Sequence, residues 1–175
     1  DVGEYKNMVG VIRQPSFLLY DFSLLRSLPP SCWSDGFAEI IKHACIKDAP
    51  AFSILQKENI QSLRKNAKLL STIIIRNANL KSKVVQKDEF EKADRKLLNF
   101  GHTLGHALET QYELTHGQAI SIGMHYACRM SEELVGFTGT GKVREVLQQY
   151  GLPVDAVFNM KKVLEIVKMD KKRVR

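Results

Sequence analysis

Apolar residues at helical spacing run through most of this chain and constrain its fold more than any other feature. From Ser31 onward, apolar side chains recur every three or four residues. Residues three and four apart share one face of an α-helix, so each such stripe predicts a helix that buries one side. The two clearest stripes are Phe37, Ile40, Ile41, Ala44 and Cys45, and Leu69, Leu70, Ile73, Ile74, Leu80 and Val84. The sequence therefore predicts a mainly α protein, a helical bundle.

Boundary signals divide this pattern into separate helices. The second stripe predicts a long helix that ends near Asp88, and it includes the isoleucines at 73–75, which would suit a strand if their flanks were not helical. Residues 136–141 have the composition of a turn, and Gly151 and Pro153 are stop signals. Further helices are predicted over residues 97–112, 117–134, 141–150 and 161–167.

Two short runs near the N-terminus have a different character. Residues 9–12 and 16–20 are rich in β-branched or aromatic side chains and are separated by Gln14 and Pro15. Such runs are typical of strands. We therefore expect one or two short N-terminal strands ahead of the helices.

Composition limits the classes of partner. The chain has 175 residues, of which 44% are hydrophobic, enough to bury one core. No apolar run approaches the roughly 18 residues of a membrane span, so no membrane partner is expected. The formal net charge is +7, but Lys and Arg alternate with Asp and Glu except in the last five residues, which argues against a nucleic-acid surface. Three cysteines without metal-binding spacing favour reduced thiols and a cytoplasmic protein.

Histidines concentrate in residues 99–106, which read NFGHTLGH, and His116 follows shortly after. A helix places His102 and His106 on one face, and the two glycines leave room for another group to approach the backbone. An isolated pair of this kind usually packs in a core, but here His116 and Glu39 add a third imidazole and a carboxylate. Such groups suit a divalent metal such as zinc, and three ligands leave a position open for substrate. The residues alone predict a catalytic metal site, with both His102 and His106 as candidate ligands.

Cationic residues are interleaved with these ligands along the chain. Lys42 lies one turn after Glu39, Lys81 and Arg95 precede the histidine pair, and Asn99 is beside it. Arg offers a planar fork and Lys a point charge, the two groups that bind phosphate. This pattern predicts a phosphorylated small molecule whose hydroxyl groups reach the metal.

A co-linear series of motifs resembles the C-terminal half of 3-dehydroquinate synthase. The matching segments are KNMVG at 6–10, QP at 14–15, LPP at 28–30, GFAEIIK at 36–42, Lys81 with VV at 84–85, DE at 88–89, residues 95–106, HG at 116–117, GLP at 151–153 and DKK at 170–172. The resemblance implies a two-domain enzyme whose N-terminal domain binds NAD, and no glycine-rich dinucleotide motif occurs in this sequence. Residues 1–22 are then a remnant of that domain with the junction, and residues 23–175 are the helical metal- and substrate-binding domain.

The resemblance also implies roles for individual residues. It assigns the metal, zinc or cobalt, to Glu39, His102 and His116, and leaves His106 free to act on substrate. The implied catalytic and substrate-contacting positions are Lys42, Lys81, Arg95, Asn99 and His106, with Asn7 and Lys171 as further substrate positions.

The implied reaction converts 3-deoxy-D-arabino-heptulosonate 7-phosphate into 3-dehydroquinate with loss of phosphate, a step of the shikimate pathway of aromatic amino acid biosynthesis. NAD oxidises a ring hydroxyl transiently, and the full protein is expected to be a homodimer. Without the NAD-binding domain, this chain is expected to be inactive. The alternatives are another sugar phosphate cyclase, a metal-dependent polyol dehydrogenase, and a metal- and anion-binding helical module without turnover.

Two positions depart from the family pattern. Phe90 replaces the usual Arg in the Asp-Glu-Arg-Glu motif, and Gln118 replaces the usual acidic residue after His-Gly. The second change removes a carboxylate expected to orient His116. His43 and His125 match no family motif and are predicted to be structural or solvent-facing.

Overall fold

The computed structural model describes residues 13–171 and the side chains of residues 13–168. Within these residues the chain is a helical bundle, which confirms the predicted fold class. The α-helices are α1 (Pro30–Lys47), α2 (Ala49–Leu55), α3 (Ile60–Lys65), α4 (Ala67–Lys87), α5 (His102–Gln111), α6 (His116–Val135), α7 (Thr140–Gln149) and α8 (Met160–Lys171). Two short 3₁₀ helices span Phe22–Ser27 and Asp94–Asn99.

Polar caps set the start of the helices that border the site. The Asn66 side chain accepts a hydrogen bond from the Leu69 N–H at 3.0 Å and begins α4. Thr115 and Gln118 form a reciprocal capping box at the start of α6, which ends at Gly136 in the left-handed region. Each cap satisfies an N–H that the first helical turn leaves unpaired, typically worth about 1 kcal/mol.

The main core surrounds α1, which packs against α2, α4, α6 and α7. Phe37 and Ile41 on α1 are fully buried, and the Phe37 ring lies 4.7 Å from that of Tyr150, the residue after α7. A smaller cluster around Leu108 and Val163 joins α5, α6 and α8. The helix that carries Glu39 and Lys42 is thus held on several sides.

Glycines bring α5 and α6 into close contact. A Cβ at Gly123 would collide with the carbonyl oxygen of Gly101, and one at Gly105 would lie 2.6 Å from the Cδ1 of Ile120. Gly101 also has a φ of +80°, where other residues are strained. Gly101 and Gly105, which were expected to leave room for another group near the backbone, leave room for α6 instead.

Two fold predictions are wrong. Residues 97–112 do not form one helix, because Gly101 takes a left-handed conformation between the end of the 3₁₀ helix and the start of α5. Residues 16–20 are not a strand: their side chains are exposed, and no strand among residues 13–171 lies beside them to pair with their N–H and C=O groups. The strand predicted at 9–12 lies outside the described residues.

The predictions for the isoleucine run and for the cysteines are confirmed. The isoleucine run lies inside α4, and residues 136–139 connect α6 to α7. The three cysteines are free thiols. None of the helices described by the structure combines the length and hydropathy that crossing a membrane requires. The domain division after residue 22 stays a prediction.

Candidate metal and anion site

Three helices bring the predicted metal ligands together. Glu39 lies in the middle of α1, while His102 and His116 are the first residues of α5 and α6. The Oε1 atom of Glu39 is 3.4 Å from the Nε2 of His102 and 3.8 Å from the Nε2 of His116. This buried oxygen accepts no hydrogen bond from any residue that the structure describes. An unpaired carboxylate oxygen facing two imidazole nitrogens is a donor set that fits a divalent cation.

A close contact between α1 and α6 sets the distance from Glu39 to His116. The Thr115 hydroxyl donates to the Oδ1 of Asp35 at 2.5 Å, one turn before Glu39. A Cβ at Gly117 would lie 2.6 Å from that same Oδ1 atom. The missing side chain of Gly117 therefore allows the N-terminus of α6 to rest on α1.

His102 is held in the protonation state that a metal ligand needs. Its Nδ1 lies 3.2 Å from the carbonyl oxygen of Phe100, which can only accept, so Nδ1 carries the proton and Nε2 offers its lone pair. Burial, reinforced by the nearby Lys42 charge, lowers the pKa of His102 to about 4. The ring is therefore neutral at physiological pH.

Lys42 lies among the predicted metal ligands and is itself a predicted anion-binding residue. Its buried ammonium donates to the Oε2 of Glu39 at 2.8 Å and lies 3.4 Å from the Nε2 of His102. Burial lowers the pKa of Lys42, and the charge of Lys81 acts in the same direction while Glu39 opposes it. Burial works against ionisation of Glu39, but the Lys42 charge and hydrogen bond outweigh it and lower the pKa of Glu39, which is therefore a carboxylate.

One cavity of about 280 Å³ gathers most of the predicted site residues. The predicted residues that line it are Glu39, Lys42, Lys81, Arg95, Asn99, His102 and His116. Lys81 reaches it from α4, whereas Arg95 and Asn99 come from the 3₁₀ helix Asp94–Asn99. Three cationic side chains that line one polar cavity can bind an anion such as phosphate.

The segment before this 3₁₀ helix is held by the carboxylate of Asp88. It accepts hydrogen bonds from the backbone N–H groups of Lys92, Ala93 and Arg95 at 2.8, 2.7 and 3.0 Å. The Arg95 guanidinium donates a further hydrogen bond to the carbonyl oxygen of Glu89. These bonds shape a segment that contributes little to the core.

His106 lies beside the metal ligands. Its ring centroid is 5.1 Å from that of His102 and 6.2 Å from that of His116, but it is not among the described residues that line the cavity. His106 also belongs to a second group of possible ligands, with Glu109 and His116. Its implied role toward substrate stays a prediction.

Sequence reasoning missed four residues at this site. They are His43, Glu91 and Leu98, which line the cavity, and Glu109, which contacts His116. His43 is buried rather than solvent-facing, and its Nδ1 lies 2.6 Å from the Oδ1 of Asn77. Its position four residues after Glu39 on one helical face was the available signal. Glu91 has a φ of 57° and accepts a hydrogen bond from the Asn99 amide, an arrangement that no sequence pattern indicates.

The other residues singled out in the sequence lie away from this cavity or outside the described part of the chain. His125 is buried and structural, with its Nδ1 2.8 Å from the carbonyl oxygen of Val154. Phe90 is 65% exposed. Asn7 lies outside the described residues, as does the side chain of Lys171.

Comparisons with known proteins agree with the resemblance. The family model described as 3-dehydroquinate synthase C-terminal matches residues 36–173. The 3-dehydroquinate synthase of Thermodesulfovibrio yellowstonii is 40% identical over 97% of this chain and 49% of its own length. That of Clostridium beijerinckii is 38% identical over 99% of this chain and 51% of its own length. The chain thus spans about half the length of these curated relatives.

A solved structure shares the fold. It is ValA, the 2-epi-5-epi-valiolone synthase from Streptomyces hygroscopicus subsp. jinggangensis, with NAD⁺ and Zn²⁺ bound. The TM-score is 0.83 at 27% identity, over 97% of this chain and 49% of that one.

Proposed function

Because the chain belongs to the 3-dehydroquinate synthase family, we propose that it is the metal- and substrate-binding half of an enzyme that converts 3-deoxy-D-arabino-heptulosonate 7-phosphate into 3-dehydroquinate and phosphate. The observation that carries the proposal is the single cavity with three metal ligands on one side and Lys42, Lys81 and Arg95 beside them. A phosphorylated polyhydroxy acid needs both features.

The cofactors follow from the same comparison. ValA holds zinc and NAD⁺, so we propose zinc, with cobalt as the alternative, at Glu39, His102 and His116, and NAD from a domain that this chain does not include. When bound, zinc would polarise the reacting hydroxyl group and NAD would accept its hydride transiently. The chemistry of the donor set supports zinc, because imidazole nitrogen and carboxylate oxygen are among the usual zinc ligands.

The chain's own residues position the substrate. Lys81 and Arg95 neutralise the phosphate, which is the leaving group, and the Asn99 amide offers a donor to a substrate hydroxyl. Lys42 contacts Glu39 and borders the cavity, so it can bind a substrate oxygen next to the metal. These are positioning and electrostatic roles.

Two experiments test the proposal. Metal analysis of the chain should find one zinc, and His102→Ala and His116→Ala should both lose it. Stoichiometric zinc in both variants would contradict the ligand assignment. Turnover should appear when this chain is joined to the half of the Thermodesulfovibrio relative that it does not match, and phosphate release with the heptulosonate phosphate should exceed that with other sugar phosphates.

The second assay also separates the alternatives. Preference for a different sugar phosphate would favour the cyclase type of ValA, although the higher identity to 3-dehydroquinate synthases argues against it. Oxidation of an unphosphorylated polyol would indicate a dehydrogenase. Such a substrate would offer no phosphate for Lys81 and Arg95 to bind. The chain alone should bind zinc but show neither NAD binding by calorimetry nor phosphate release. We further propose that the complete enzyme is a cytoplasmic homodimer.

A further inference from the structure

His116 makes two polar contacts through opposite edges of its ring. Its Nε2 faces the Oε1 of Glu39 at 3.8 Å, and its Nδ1 lies 3.1 Å from the Oε2 of Glu109. The Glu109 side chain is 16% exposed, whereas that of His116 is 43% exposed. The more exposed ring is thus contacted by a largely buried carboxylate.

We propose that Glu109 is the positioning residue for His116, an inference that rests on the proposed metal site. A carboxylate accepts a hydrogen bond, so it favours the tautomer whose Nδ1 carries the proton and whose Nε2 lone pair faces Glu39. Histidine ligands of metals usually donate their second ring N–H to such an acceptor, and loss of the acceptor typically lowers affinity by about 10- to 100-fold.

The neighbouring ligand shows why His116 needs this partner. His102 follows Phe100 and Gly101, and the Phe100 carbonyl fixes its tautomer from within the same segment. His116 begins α6, and the capping box there orders the backbone of residues 115–118 without contacting the imidazole ring. Glu109, from the last turn of α5, supplies the contact to the ring.

Gln118 does not fill this role. Its Oε1 accepts the Thr115 N–H at 3.0 Å, as the second half of the capping box. An amide performs that function as well as a carboxylate does. The expected loss of an orienting carboxylate at position 118 therefore leaves the orientation of His116 to Glu109.

A second metal site on His106, Glu109 and His116 is the competing interpretation of the same atoms. It would require both nitrogens of His116 to bind metal at once. The 3.1 Å separation of Nδ1 and Oε2 is an ordinary hydrogen-bond length, which favours positioning.

The test uses this chain with Glu109→Gln, Glu109→Leu and a matched control, Glu113→Gln, which removes the same charge from an exposed position four residues away. Zinc affinity and stoichiometry are measured by competition with a chromophoric chelator. The His116 tautomer is read from ¹⁵N chemical shifts of the metal-free protein at pH 8.

We expect Glu109→Leu to lower zinc affinity at least tenfold and to mix the two tautomers of His116. Glu109→Gln, whose amide oxygen still accepts the Nδ1–H, should keep the tautomer and lose less affinity, and it preserves side-chain volume if the Leu variant does not fold. Glu113→Gln should match the wild type in both measurements.

Several results would overturn the inference. Unchanged affinity in Glu109→Leu, or lower affinity with an unchanged tautomer in that variant, would remove the positioning role. Two zinc ions in the wild type, one of them lost in Glu109→Leu, would establish the second metal site instead. Failure of the wild type to bind zinc would defeat the proposed function itself, which is a separate outcome.

Discussion

The two walls of the cavity are built in different ways. The metal wall consists of the predicted ligands Glu39, His102 and His116, whose side chains are 29%, 14% and 43% exposed. They stand on helices that pack closely where glycines lack a side chain. The anion wall consists of Lys81 on an exposed face of α4 and of the segment from Asp88 to Asn99, which hydrogen bonds hold. Helix packing therefore positions the proposed metal ligands, whereas solvent-exposed hydrogen bonds position the proposed phosphate-binding groups.

Because the walls are built differently, we expect substitutions in them to affect different properties of the protein. A change in helix packing should damage fold and metal site together, because both depend on the same close contacts. A change in the anion wall should weaken ligand binding with little effect on the fold, since exposed polar groups contribute little to stability.

Gly123→Ala should have the largest effect. Alanine is the better helix former by about 1 kcal/mol, yet its Cβ would collide with the Gly101 carbonyl, and overpacking of this kind typically costs about 1 to 3 kcal/mol. Because the obstacle is backbone, we expect a net fall of about 2 kcal/mol in the free energy of unfolding, measured with urea. Gly141→Ala on α7, where no described atom lies within 4 Å of the added Cβ, should be neutral or stabilising. Equal stabilisation by both would contradict the close contact.

Arg95→Ala should affect only the anion wall. Loss of a hydrogen bond to a charged group typically costs about 1.5 to 3 kcal/mol, so binding of inorganic phosphate to the zinc-loaded chain should weaken by about one to two orders of magnitude. Calorimetry measures this, and zinc affinity should not change. Arg144→Ala, which removes the same charge from exposed α7, is the control. Equal weakening by both variants would show that net charge, not the cavity, binds phosphate.

Gly117→Ala should disturb the metal wall by moving one predicted ligand, His116. The added Cβ would push the start of α6 away from Asp35 and so move His116 from Glu39. We expect zinc affinity to fall about tenfold, a loss like that caused by disturbing the groups around a metal ligand. Gly36→Ala on α1, whose Cβ would meet no described atom within 4 Å, should keep wild-type affinity. The contact at Gly117 has no role in the site if both variants bind zinc equally.

The difference between the two walls also explains which parts of the site could be predicted from the sequence. The helices were predictable, because helical period is a local property that packing then preserves. Residue chemistry marked Glu39, His102, His106 and His116 as candidate ligands, but the choice of Glu39, His102 and His116 among them came from the family resemblance. The predicted helix over 97–112 is wrong because helical period cannot show that Gly101 takes a left-handed φ, which separates the 3₁₀ helix from α5.

The missed residues share a different cause. Glu91 reaches the cavity through a segment whose shape depends on Asp88 accepting three N–H groups, a set of contacts that no periodic pattern encodes. Glu109 was overlooked although it follows His106 by three residues, because the partner it contacts, His116, lies on another helix. Asn7 and Lys171 rest on the family resemblance alone.

The smallest expected effect concerns Asp88, which holds the anion wall through hydrogen bonds and does not belong to the core. A change at Asp88 therefore tests the anion wall alone. Burial opposes ionisation of Asp88, but hydrogen bonds from the N–H groups of Arg95, Lys92 and Ala93 outweigh it and lower its pKa. A carboxyl group with a lowered pKa stabilises the folded form above the ordinary carboxyl pKa of about 4 and loses that effect as pH falls through the lowered value. Hydrogen-exchange protection of these three amides should therefore be full at pH 7 and decline under acid, while α6 amides stay protected.

Asp88→Asn should remove this dependence on pH. The neutral amide keeps one acceptor oxygen but not the charge, so protection of Lys92, Ala93 and Arg95 should already be reduced at pH 7 and should change little on acidification. Phosphate binding should weaken with it, because Arg95 then loses its fixed position, whereas zinc affinity should stay at the wild-type value. Wild-type protection in Asp88→Asn at pH 7 would show that the segment is held by other contacts, and a parallel loss of zinc would show that the two walls are not independent.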